Sequence, residues 1–199
     1  MAGIDRLVSR AFSNSIKNNL DPETLRDVER RLFLKYGMSV KLSVEHFSKF
    51  LQVLNEKSGL DIKKFHENII NENLQIQKSD ENYVIRIINS ELSNMILEFF
   101  SDIETREILS CILVKEMTSS AILKKLKIPK TSGYRKIENL ILNGLIIESG
   151  KIKSESKKVS KYKCCCNEFK IKLNKNGLDI VCQSNKKIMD NSSSICGFV

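Results

Sequence analysis

Residues 119–146, SSAILKKLKIPKTSGYRKIENLILNGLI, leave this chain few ways to fold. Ala121, Ile122 and Leu126 recur at helical spacing, and Ser119 and Ser120 are natural caps for the helix that carries them. Pro129 prevents that helix from continuing, because its ring steers Ile128 out of the helical region. A second helix over 131–143, capped by Thr131, places Tyr134, Ile137, Leu140 and Ile141 on one face. Gly144 suits a left-handed stop, and Leu145-Ile146 returns to the core. Two short helices across a tight turn form a helix-turn-helix outline.

The outer face of the second helix carries Ser132, Arg135, Lys136 and Asn139, with Lys130 and Thr131 at its leading end and Tyr134 beside them. Arginine pairs with guanine, asparagine with adenine, and lysine and hydroxyl groups with phosphate oxygens. Gly133 is expected to keep the leading end slim for close approach to a phosphate. Charge supports such a partner. Residues 115–163 hold 13 Lys and Arg against 4 Asp and Glu, whereas residues 1–89 hold 14 against 12. Concentrated positive charge suits a polyanion, because each phosphate contact releases condensed counterions.

Around this outline, Ile108, Leu109, Ile112 and Leu113 mark a preceding helix over about 104–115. Two alternating segments, LIIESGKIK and KKVSKYKCC, follow the second helix, and Lys151, Lys153, Lys157, Lys158, Lys161 and Lys163 surround the turn between them. FKIKL and LDIVC form a further hairpin around NKNG. Three helices and a basic hairpin give the order of a winged helix-turn-helix.

IPKTSGYRKIENLILNGLI resembles the recognition-helix signature of archaeal and bacterial winged-helix regulators of the arsenic-repressor-like superfamily. The resemblance spans roughly residues 90–183 and implies a winged helix that binds duplex DNA. LDPETLRDVERRLFLKYGMS and LSVEHFSKFL are similar to a small output-type domain that precedes such winged helices in ammonia-oxidising archaea.

The amino-terminal part reads as helices over 3–17, 22–36, 44–58 and 61–71, with Asp21, Ser43 and Gly37 as caps and stop. NLQIQ and YVIRII then alternate with period two around KSDEN and form a hairpin. The expected class is α+β in three parts. Residues 1–89 make a helical domain with a small hairpin, 90–183 the winged helix-turn-helix domain, and 184–199 a loosely held tail. The apolar helix at 90–101 is either a homodimer seam or internal core.

Other chemistries find little purchase. Six cysteines without an export signal argue for reduced thiols. Cys164 and Cys166 would share one strand face with Cys182 nearby, a candidate thiolate site for zinc or copper(I), but no C-x-x-C pair or histidine completes it. In the resembled superfamily, metal sensors carry a Cys-x-Cys pair, usually on a helix. His46 and His66 stand apart from any acidic pair, CGFV departs from a prenylation box, and no phosphate loop, dinucleotide motif or H-E-x-x-H occurs. No catalytic residue, cofactor or membrane span is expected, and the location is expected to be cytoplasmic.

The expected function is a homodimeric, sequence-specific duplex-DNA regulator of transcription. The helix over 131–143 reads bases, and a wing over 151–163 grips the flank through Lys151, Lys153, Lys157, Lys158 and Lys161. Alternatives are a winged-helix adaptor between proteins, with the amino-terminal part meeting the transcription machinery, an RNA-binding winged helix, and a thiol- or metal-responsive regulator.

Overall fold

The structure, a computed structural model, describes residues 3–56, 59–154, 157–175 and 177–196, the side chains of Ser154 and Lys157 excepted. Five helices lead the chain: α1 (Gly3–Asn19), α2 (Pro22–Tyr36), the short α3 (Val40–Ser43), α4 (Phe47–Asn55) and α5 (Ile62–Asn73). In α2 the expected signals act as read. Asp21 accepts from the amides of Glu23 and Thr24, Pro22 opens the helix, and Gly37 closes it at φ 63°. Ser39, rather than Ser43, caps the next helix, and a 3-10 turn over Val44–His46 separates α3 from α4.

Helix α1 is more than an amphipathic surface helix. Ile4, Leu7, Val8, Ala11, Phe12 and Ile16 are buried as the periodicity requires, but Asp5, Ser9, Ser13 and Ser15 are buried too. Helices α3 and α5 pack on it, as do α6 (Ser90–Ser101) and the late helix α10 (Lys186–Asp190). Helix α6 buries Leu92, Ser93 and Ile96 and packs against α1, the following helix α7 (Ile103–Leu113) and the first hairpin. Its apolar stripe is therefore internal core.

Two antiparallel sheets complete the fold. Strands β1 (Leu74–Lys78) and β2 (Asn82–Ile87) form the expected first hairpin, and β6 (Glu168–Asn174) and β7 (Gly177–Asn185) the last. These hairpins join: β2 pairs with β7 from Asn82↔Asn185 to Ile87↔Ile180, giving the order β1-β2-β7-β6. The second sheet has the order β3-β5-β4, from β3 (Met117–Thr118), β5 (Lys157–Cys164) and β4 (Ile146–Ser154). Between β3 and β4 lie α8 (Ser119–Leu126) and α9 (Lys130–Leu142).

The β2–β7 pairing crosses the boundary expected at 89/90, so the first and last hairpins share one sheet, and the buried apolar residues of both halves form one cluster. The segment expected as a loose tail is also built in. Ile188, Met189 and Ile195 are buried, and the buried Asp5 carboxylate accepts from Ser192 Oγ (2.5 Å), Ser193 N (2.9 Å), Ser194 N (3.0 Å) and Ser194 Oγ (2.6 Å). Four donors replace the water this carboxylate loses, which makes its burial tolerable. His66 Nε2 lies 2.7 Å from the Ser194 carbonyl, and its ring packs on Phe47 at 4.5 Å between centroids. His66 is thus an interhelical residue, and His46 is exposed. Among the described residues no helix is long and apolar enough to cross a membrane.

Candidate nucleic-acid interface

The α8–α9 turn is tight because three local features agree. Thr118, rather than Ser119 or Ser120, caps α8 by accepting from the Ala121 amide at 3.3 Å. Lys127 ends α8 in the left-handed region at φ 56°, an uncommon conformation for a residue with a Cβ. Ile128 then donates its amide to the Leu123 carbonyl at 3.1 Å, and Pro129 starts α9. Thr131 falls one residue inside α9, so it is no cap, and Ser132 Oγ instead donates back to the Pro129 carbonyl at 3.2 Å.

Gly133 has a different task from the one expected. It is buried, and a Cβ there would lie 2.3 Å from Leu123 Cδ2 and 3.1 Å from Ile128 Cγ2. Its missing side chain lets α8 and α9 approach, and it does not face outward toward a ligand. Gly133, Ile137 and Leu140 form the anchoring face, while Tyr134, expected there, is 44% exposed. The far end of α9 is clamped against α1. Gly144 sits at φ 76°, where a Cβ would meet the Leu7 amide nitrogen at 2.3 Å and the Gly3 carbonyl at 2.4 Å. Arg6 binds Glu45 through Nε at 3.1 Å and Nη2 at 2.8 Å, and reaches the Ile141 carbonyl through Nη1 at 3.4 Å.

The leading end is open. Lys130, Thr131, Ser132, Tyr134, Arg135 and Asn139 are exposed, and Lys124, Lys125 and Lys127 are exposed just before them. Arg135 has no carboxylate partner among the described residues. Lys136 differs, since its ammonium pairs with Asp102 and lies 3.4 Å from Glu104. These carboxylates raise the Lys136 pKa, and Lys136 and Thr105 together hold Asp102 below the usual carboxylate range. Asn139 is also partly committed, because its Oδ1 accepts from Asn143 Nδ2 at 2.9 Å. Of the four residues expected to read bases, Arg135 is therefore freest, and Ser132 keeps its hydroxyl lone pairs available while donating to Pro129.

The β4–β5 hairpin carries the second group of cations. Lys151, Lys153 and Lys158 are exposed, and Lys153 stands directly opposite Lys158 in the ladder. Like charges facing across a sheet weaken it, so this pair favours an anion alongside. Lys157 pairs with Ser154 through its backbone, and its side chain lies outside the described residues. Lys151 is 3.6 Å from Glu148. Lys161 is engaged with Glu116 at 3.1 Å and braces the hairpin base; Ser149 and Lys161 hold the Glu116 carboxyl low. A bulge between Glu148 and Gly150 turns the hairpin's outer half.

The cysteines form no comparable site. Strand β5 ends at Cys164, so strand alternation does not extend to Cys166, and Cys164, Cys165, Cys166 and Cys182 are all buried where the two sheets meet. The Cys165 and Cys166 sulfurs are 3.7 Å apart. Hydrogen bonding to Cys165 and burial push the Cys164 and Cys166 thiols up, and the same hydrogen bonds draw Cys165 down. Among the described residues no group of three or more His, Cys, Asp or Glu is arranged to hold a metal ion.

One feature had no signature in the sequence. Arg10 of α1 and Lys41 of α3 line a cleft of about 450 Å³ together with Lys136, Asn139 and Asn143 of α9. The amino-terminal half is nearly balanced in charge, so only the packing of α1 and α3 beside α9 reveals these two residues. Compared with known proteins, the chain matches no family model, no curated sequence and no solved structure.

Proposed function

We propose that this chain is a duplex-DNA-binding regulator of the winged helix-turn-helix kind. The observation that carries the reading is the asymmetry of α9. Its inner face is packed through Gly133, Ile137 and Leu140, and its far end is locked to α1 at Gly144, while Lys130, Thr131, Ser132 and Arg135 stand exposed at its start. A helix held in this way can enter a major groove without losing its place in the core, and its free end offers both phosphate and base-edge partners. The order α7, β3, α8, α9, β4, β5 supports the same reading, with the exposed Lys151, Lys153 and Lys158 as the wing.

Arg135 and Ser132 read bases in this reading, and Lys130 and the wing lysines contact phosphates. Lys136 mainly orients α9 through Asp102. A single helix reads few base pairs, so two copies on paired half-sites complete the proposal. Selection of bound fragments from a random duplex library tests it. Enrichment of one motif by the full chain, lost on Arg135→Ala, supports the reading, and absence of enrichment refutes it.

A further inference from the structure

The cleft beside α9 lies outside the turn and the wing. Arg10 and Lys41 stand on its α1–α3 side, and Lys136, Asn139 and Asn143 on its α9 side. Arg6 and Lys136 are already neutralised, by Glu45 and by Asp102 with Glu104. Arg10 and Lys41 are exposed and have no carboxylate partner among the described residues. Among the described residues Glu98 is the lining carboxylate without a cation partner, so two unpaired cations face one unpaired anion. The excess of positive charge around this concave surface raises the local concentration of anions.

The cleft also continues into the working face of α9. A groove of about 430 Å³ along that helix is lined by Ser132, Arg135, Lys136, Glu138, Asn139 and Leu142; Lys136, Asn139 and Leu142 line the cleft as well, and Glu138 is the one carboxylate on the groove among the described residues. With 13 residues, α9 is about 20 Å long, whereas the major groove is about 12 Å wide. A helix whose first two turns meet base edges therefore brings its later turns to the flanking sugar-phosphate strand. At those turns the cleft presents Asn139, Asn143, Arg10 and Lys41.

We infer that this cleft is a phosphate-binding site, occupied by the backbone of the duplex that α9 reads. The inference rests on the duplex-DNA reading above. It makes the amino-terminal helices part of the interface, with the duplex held by the wing at one place and by Arg10 and Lys41 at another. The shared chemistry is a phosphate oxyanion, and a free phosphate is the other source that chemistry allows.

The test uses the full chain and a fluorescein-labelled duplex of mixed sequence, with anisotropy followed from 50 to 200 mM KCl. Arg10→Ala/Lys41→Ala is compared with Lys63→Ala/Lys64→Ala, which removes equal charge from exposed positions of α5. The expected result is an affinity loss of roughly tenfold at 0.1 M salt and a salt slope shallower by about 1 to 2 for the cleft variant, with much smaller changes for the α5 variant. Equal effects of the two variants overturn the inference. In a second arm, inorganic phosphate is titrated without DNA at constant ionic strength. Thermal stabilisation of wild type but not of the cleft variant, with duplex affinity indifferent to the cleft, assigns the site to free phosphate and overturns the duplex assignment. If the wild-type chain ignores every duplex, the functional reading and the duplex assignment fail together. If wild type binds and Arg135→Ala weakens it while the cleft variant does not, only this inference fails.

Discussion

The Lys136 ammonium of α9 pairs with the Asp102 carboxylate, and the same carboxylate caps α7 by accepting from the Thr105 amide at 3.0 Å. One acidic side chain thus fixes the start of one helix and the rotation of another. Most of its contribution comes from the cap, because the ion pair is half-exposed and screened by solvent. Asp102→Ala is expected to cost about 1 to 2 kcal/mol, and Lys136→Ala less than about 1 kcal/mol, in urea unfolding. The folded pKa of Asp102 is depressed by Lys136 and Thr105. Its contribution is therefore complete above the unfolded value of about 4 and is lost as pH falls through the folded one. Asp102→Asn should flatten that acid limb. An unchanged limb contradicts the pairing.

Gly144 permits the contact between α9 and α1. A side chain there would strain the backbone at φ 76° and strike main-chain atoms of Gly3 and Leu7, which cannot rotate away. Gly144→Ala is expected to destabilise the fold by about 2 to 4 kcal/mol. An unaltered melting temperature would show that α1 does not hold the end of α9.

Burial lowers the His66 pKa, against the opposing pull of the Ser194 carbonyl and Glu67. A histidine with a depressed pKa takes up its proton less readily when folded than when unfolded. Stability is therefore complete above the unfolded value of about 6.5 and declines as pH falls toward the folded value. His66→Gln supplies a donor that does not titrate, and its stability should vary less than wild type as pH falls below the unfolded value of about 6.5. Parallel profiles would contradict the contact between α5 and the Ser192–Ser194 segment.

Lys153 and Lys158 oppose each other in the β4–β5 hairpin, the wing of the proposed reading. Replacing both with Thr should stabilise the protein slightly, by about 0.5 kcal/mol, because the repulsion is removed. The same change should weaken duplex binding across all sequences and make the salt dependence shallower. Gains in both stability and affinity would exclude phosphate contact by the wing.

Local signals were legible where chemistry is local. Asp21, Pro22 and Gly37 bound α2, and the alternation of YVIRII and LDIVC gave both hairpins. Pro129 marked the turn before α9. Long-range placement left no such trace. Nothing in LDIVC shows that it joins β2 rather than a neighbour in sequence, because strand alternation gives a face and not a partner. The polar SSS read as loose chain, yet its hydroxyls and amides are the donors that Asp5 needs, 187 residues away. At the candidate site, Ser132 and Arg135 were found by helical spacing, whereas the partners of Lys136, Lys161 and Asn139 appear only in three dimensions. Gly133 is the instructive case, since glycine signals close approach but not what approaches.

The most direct measurement is the affinity of the full chain for its selected duplex, with and without Arg135→Ala, as a function of salt. The expected result is binding that falls steeply with log salt concentration, with the variant losing about 1 to 3 kcal/mol of preference for the selected sequence while its non-specific affinity changes far less. No duplex binding at low ionic strength, or equal preference in wild type and variant, would contradict a helix anchored at its far end and read out through its first turn.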